Sequence, residues 1–107
     1  MIDTLVSEIT VPANHPSLAG HFPGRPVVPA VVLLDATMAA IEARGGFVLR
    51  TIVAAKFLQP VLPDERVVLE IRFAELEAAQ LRASFNGSRE GSVVFEGSLI
   101  VSRRLRT

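Results

Sequence analysis

The feature that most constrains the fold is a helix with apolar side chains on nearly every side. It reads AVVLLDATMAAI over residues 30–41 and carries one charged side chain, Asp35. Pro29 suits the first turn of a helix and Gly45-Gly46 suits its end, so we predict a helix over residues 29–44. Because a helix that is apolar all round is buried rather than laid on a surface, the rest of the chain must enclose it.

The enclosing material is predicted to be β-strand. The β-branched segment 2–11 ends at a proline, and further runs with strand composition have turn signals between them. Within the predicted strand 66–73, alternate residues share a core-facing side: Val67, Leu69, Ile71 and Phe73. The predicted strands are 2–11, 47–58, 66–73, 81–85 and 92–103.

The predicted turns are 60–64, Asn86-Gly87 and Glu90-Gly91. The segment 74–82, AELEAAQLR, combines helical composition with a strand position, so we predict a turn or an irregular edge there. One long helix wrapped by an antiparallel sheet, without a βαβ rhythm, is an α+β architecture.

Length and charge exclude several classes of protein to which the chain could belong. A chain of 107 residues suits one domain, spanning 1–107. Eleven basic residues balance eleven acidic ones, so no overall field attracts nucleic acid or an anionic membrane. The apolar stretch 27–41 is shorter than the roughly 20 residues that span a bilayer. The absence of cysteine, with a start unlike a signal peptide, predicts a cytoplasmic protein without cysteine-based metal or nucleophile chemistry.

A rigid loop precedes the helix and contains one of two histidines. The loop GHFPGRPVVP over residues 20–29 has three prolines, which restrict the backbone around His21. Histidine titrates near neutral pH, and a carboxyl group enclosed in an apolar helix, as expected for Asp35, favours its protonated form. The free N–H groups at Ala30 and Val31, with the positive end of the helix dipole, suit an anionic oxygen.

Three stretches of the sequence match a known pattern. The first is a histidine in GHFPGxPxxPG with an acid fourteen positions later, as in His21 and Asp35. The second is KFLQPVLPDERVVLEI over residues 56–71, and the third is FEGSLIVSRR over residues 95–104. In these stretches the chain resembles the 3-hydroxyacyl-[acyl-carrier-protein] dehydratases of fatty acid synthesis, whose fold is called the hot dog.

The sequence departs from that pattern at a few positions. Ala30 stands where the family has glycine, and the glycine that the family has between Pro63 and Asp64 is missing. The acid is aspartate, as in one branch of the family, where another large branch has glutamate.

The resemblance implies dehydration of a 3-hydroxyacyl thioester that is linked to acyl carrier protein or coenzyme A, without a metal or cofactor. His21 would accept the C2 proton, Asp35 would protonate or orient the leaving hydroxyl, and the helix start would polarise the thioester carbonyl. The substrate contacts are expected to be Phe22, Gly24, Pro29, Ala30 and Val31, with a place in the core as the alternative for Phe22. Arg25 would lie at the mouth of the site, where an acidic carrier docks.

The resemblance also implies at least a homodimer, in which the histidine of one chain works with the acid of the other. His15 is interpreted as a structural or substrate-channel residue. A metal site formed by His15, His21 and Asp35 is rejected, because a third nitrogen or sulfur ligand is missing.

Two alternatives to dehydration stay open. A thioesterase of the same fold could use Asp35 to activate water, although such enzymes do not usually carry the HFPG loop. A non-catalytic subunit that binds acyl carrier protein, or completes a heterodimer, is suggested by the methyl group of Ala30.

Overall fold

A computed structural model describes residues 2–16, 27–77 and 79–104. Five strands of this part of the chain form one antiparallel sheet in the order β1-β3-β4-β5-β2, so β1 and β2 are its edges. The architecture is α+β, as predicted. The elements are β1 (Ile2–Ile9), α1 (Ala30–Arg44), β2 (Phe47–Phe57), β3 (Val67–Glu75), β4 (Gln80–Arg89) and β5 (Ser92–Arg103).

The core lies between α1 and one face of the sheet. The predicted alternation of β3 is confirmed, since its four core-facing side chains are at most 3% exposed. Thr37 is buried in the helix, and its hydroxyl group is paired because Oγ1 donates to the carbonyl oxygen of Leu33 at 2.9 Å. The strands β4 and β5 add buried residues on the same side: Leu81, Ala83, Phe85, Leu99 and Val101.

Helix α1 is buried along one side only, so the prediction of burial on every side is wrong for a single chain. Its buried residues are Val32, Leu33, Thr37 and Ile41. Val31 is 60% exposed, and Asp35 is also exposed. The physical reason is that the sheet covers one face of the helix and leaves the other uncovered. Within the described ranges, no helix has both the length and the apolar content needed to cross a bilayer.

Strand β4 contains the Asn86-Gly87 pair, so the predicted turn there is wrong. A Cβ atom on Gly87 would overlap the ring of Phe95, which means that the glycine makes room for a core ring rather than for a turn. The prediction for 74–82 is wrong at both ends of that segment, because β3 continues to Glu75 and β4 begins at Gln80. The predicted turn at Glu90-Gly91 is confirmed, and both residues have positive φ, 51° and 82°.

Candidate functional site

Asp35 lies in a cleft between α1 and the chain that follows β1. We call this the acid cleft, and its volume is about 370 Å³. Its lining is mostly apolar, and the two ionisable side chains among the described lining residues are Asp35 and His15. A turn holds His15 in place, because its N–H donates to the carbonyl oxygen of Pro12 at 3.0 Å. The lining residues are Ile9, Thr10, Val11, Pro12, His15, Val31, Val32, Asp35, Ala36 and Ala39.

A second cleft opens at the start of α1. We call it the amide cleft; its volume is about 500 Å³. One wall contains the helix start, and the other is the segment that follows β2. Its lining residues are Val27, Val28, Pro29, Ala30, Leu33, Phe57, Leu58, Gln59, Pro60 and Val61.

The helix start has two backbone N–H groups without a backbone partner among the described residues. Pro29 is extended, with φ −61° and ψ 148°, and its carbonyl oxygen accepts the N–H groups of Val32 and Leu33 at 3.0 and 3.4 Å. The N–H groups of Ala30 and Val31 bond to no backbone oxygen of the described residues. Together with the positive end of the helix dipole, these groups can stabilise an anionic oxygen.

The methyl group of Ala30 does not remove this donor. Ala30 has an ordinary negative φ, since it is not among the non-glycine residues with positive φ. The backbone at this position therefore does not require the glycine of the dehydratase pattern.

The two clefts lie on different sides of one helix. Ala30 lines the amide cleft and Asp35 lines the acid cleft, and neither residue lines both. Five residues of α-helix separate two positions by about 7.5 Å along the axis and about 140° around it. Val31, which the sequence grouped with Ala30, lines the acid cleft. The two clefts of the chain therefore face apart.

Four of the predicted site residues lie outside the described residues: His21, Phe22, Gly24 and Arg25. The expectation that Asp35 is enclosed within a single chain is wrong, because its side chain is exposed in the acid cleft. In the part of the chain that the structure describes, no three metal-ligating side chains come together.

The wall of the amide cleft that follows β2 was missed by sequence reasoning. The N–H groups of Leu58 and Gln59 both donate to the carbonyl oxygen of Val94, at 2.8 and 3.2 Å. The N–H of Val28 donates to the carbonyl oxygen of Val61 at 2.8 Å, so this wall is joined to the segment before the helix. From the sequence we predict only a strand and a turn at 56–71. The likeness of this block to the dehydratase pattern is the signal that could have identified it as a wall of the cleft.

Comparisons with known proteins identify the family of the chain. Residues 2–98 match the family model of the ApeI-like proteins, described as ApeI dehydratase. The 3-hydroxyacyl-[acyl-carrier-protein] dehydratase FabZ of Chlamydia trachomatis is 33% identical to this chain in an alignment that covers 90% of this chain and 70% of the relative.

Solved structures share the fold at lower identity. The dehydratase heterocomplex ApeI:P from Xenorhabdus doucetiae matches with a TM-score of 0.75 and 20% identity, over 94% of this chain and 88% of that one. A probable thioesterase from Bartonella henselae matches with a TM-score of 0.74 and 17% identity, over 96% and 98%. The fold is therefore shared by both classes of enzyme, and the family match distinguishes them. With a hot-dog fold and a family match over most of its length, this chain belongs to the ApeI-like dehydratase family.

Proposed function

We propose that this protein removes water from 3-hydroxyacyl thioesters, carried by acyl carrier protein or coenzyme A, to form 2-enoyl thioesters. The observation that carries the proposal is the position of Asp35, a carboxyl group in an open and mostly apolar cleft of a dehydratase-family protein. An apolar lining excludes water molecules that would compete with the substrate for hydrogen bonds. A proton donor in such a cleft therefore interacts more strongly with a bound substrate.

The reaction needs a base, an acid and a donor to the carbonyl oxygen. His21 takes the proton from C2, and the electron pair of that bond forms the new double bond to C3. Asp35 gives its proton to the C3 hydroxyl, which leaves as water when the C–O bond breaks. The N–H of Ala30 and the helix dipole stabilise the negative charge that develops on the thioester oxygen. Phe22 and Gly24 are proposed to contact the substrate, as is Pro29, and Arg25 to contact the carrier.

The site is proposed to be shared between two chains. The two clefts of one chain face apart, so the amide cleft and His21 of one chain would act with the acid cleft of its partner. The second support is β2, an edge strand of 11 residues with exposed apolar side chains. Ile52 is 48% exposed and Val53 is 44% exposed. Long apolar edges invite strand pairing, and a second copy that pairs along β2 would cover this one. We propose a homodimer or an oligomer of such dimers.

The test is a turnover assay with purified protein and 3-hydroxyacyl carrier-protein substrates of short, medium and long chains. We expect an enoyl product, identified by mass as the loss of one water. Asp35→Asn keeps the shape of the side chain but removes the acid, and should lower kcat by about 10²-fold or more. Glu42→Gln is the matched control, because Glu42 is an exposed acid on the same helix that lines neither cleft.

Two results would contradict the proposal. One is unchanged substrate at every chain length. The other is the release of free thiol from acyl-coenzyme A without an enoyl product, which would support the thioesterase alternative instead.

A further inference from the structure

Arg89 lies behind the wall of the amide cleft. It is the last residue of β4 and does not line that cleft. Its Nη1 donates to the carbonyl oxygen of Pro60 and to Oε1 of Glu65, both at 2.8 Å. Its Nη2 donates to Oε1 of Gln59 at 3.0 Å. One guanidinium therefore holds three points of the segment that follows β2.

Glu65 completes this arrangement from the other end of the segment. Its Oε1 also accepts the N–H of Leu62 at 2.7 Å. The N–H of Leu62 and the guanidinium of Arg89 hold the pKa of Glu65 below the ordinary glutamate value, so its carboxylate stays charged to a lower pH than that of an ordinary glutamate. The side chains of Arg89 and Glu65 are only 23% and 30% exposed. Charge-assisted hydrogen bonds that are partly shielded from water are stronger than those of an exposed ion pair.

The segment held by Arg89 is connected directly to the helix start. Pro60, whose carbonyl oxygen Arg89 binds, precedes Val61, and Val61 accepts the N–H of Val28. Val28 in turn lies two residues before Ala30. A shift of this segment would thus change both the width of the amide cleft and the position of the Ala30 N–H.

We propose that Arg89 and Glu65 are positioning residues. They fix the distance between the helix start and the wall formed by residues 59–61. At this distance the thioester carbonyl accepts the N–H of Ala30. This inference rests on the proposed function, because it assigns the amide cleft to the thioester. Neither residue touches the substrate. Misplacement of a reacting group by about 1 Å is enough to lower a rate by about 10²-fold, so support at a distance has a large effect.

The test compares Arg89→Met, Arg89→Lys and Glu65→Gln with wild type. Arg89→Met removes all three hydrogen bonds and should lower kcat by about 10- to 100-fold, with little change in KM. Lysine has one donor nitrogen where Arg89 uses two, so Arg89→Lys should keep only part of these hydrogen bonds and its kcat should fall between those of wild type and Arg89→Met. Glu65→Gln keeps an oxygen that can accept from Leu62 and Arg89 but removes the charge that strengthens both hydrogen bonds, so its kcat should fall between those of wild type and Arg89→Met; a kcat equal to wild type would contradict the role of Glu65.

Arg72→Met is the matched control. Arg72 pairs with Glu70 at 3.2 Å on β3, its side chain is 66% exposed, and it lines neither cleft. We expect this variant to keep the wild-type kcat. Urea unfolding of each variant separates a loss of stability from a loss of turnover. Hydrogen exchange at the amides of Gln59 and Leu62 should be faster in Arg89→Met, while exchange in β3 should stay slow.

The outcomes separate the two hypotheses. An inactive wild type contradicts the proposed function, and with it this inference. An active wild type with a folded Arg89→Met that matches Arg72→Met in kcat contradicts the positioning role alone. If Arg89→Met does not fold, Arg89→Lys decides: a reduced kcat at wild-type KM supports the role, and wild-type kinetics overturn it.

Discussion

At Asp64 the backbone has a φ of 67°, in the left-handed region that usually favours glycine. The dehydratase pattern has a glycine immediately before this aspartate, and this chain lacks it. Aspartate tolerates the left-handed region better than most residues, so the turn forms without the glycine. Ala30 is the corresponding case at the helix start, where the residue differs from the pattern but the N–H is kept. At both positions the backbone adopts its conformation without the glycine of the pattern.

Gly87 gives a prediction at the same scale. A methyl group there would overlap the ring of Phe95, so Gly87→Ala should lower the free energy of unfolding by about 1–3 kcal/mol. Urea denaturation measures this change. Phe95→Leu in the Gly87→Ala background should restore part of the stability, so that the double variant loses less than the sum of the single variants. Strict additivity of the two losses would show that the ring is not the obstacle.

The buried face of an element can be predicted from the sequence for some elements and not for others. The alternation of β3 identified its core face, because a strand with one buried side repeats every two residues. The burial of α1 could not be identified in this way, since the helix is apolar on nearly all sides and only the position of the sheet decides which side is covered. The clefts were harder still, because the amide cleft joins the segment before α1 to residues about thirty positions later.

Strand β2 carries a prediction about assembly. If β2 pairs with a second copy, a lysine on this strand should disrupt the pairing, because it must lose its hydration at the interface. Val53→Lys should therefore give monomers and lose turnover. Val6→Lys is the matched control, since Val6 is a 61% exposed valine on β1, the opposite edge of the sheet. Sedimentation velocity measures the mass of each variant. Equal masses for the two variants would place the interface elsewhere.

The whole molecule has two clefts that face apart, and the proposal of a site shared between two chains predicts complementation. His21→Ala and Asp35→Asn should each be nearly inactive alone. After subunit exchange, about half of the dimers are mixed, and each mixed dimer has one site with both substitutions and one site with neither. Activity should therefore recover to about a quarter of the wild-type value.

Mass spectrometry of intact dimers verifies that exchange has taken place. No recovery after verified exchange would mean that both residues act within one chain. Dehydration itself would remain possible in that case.

The opposed clefts of α1 also affect how two copies of such a gene can diverge after duplication. If the site is shared as proposed, each chain contributes its amide cleft to one site and its acid cleft to the other. Two diverged copies that assemble with each other need one working cleft apiece to keep one complete site. Selection on catalysis then stops acting on the idle clefts, so one copy can lose His21 and the other can lose Asp35. An enzyme of this kind can become an obligate pair through two losses, without gaining a single new contact.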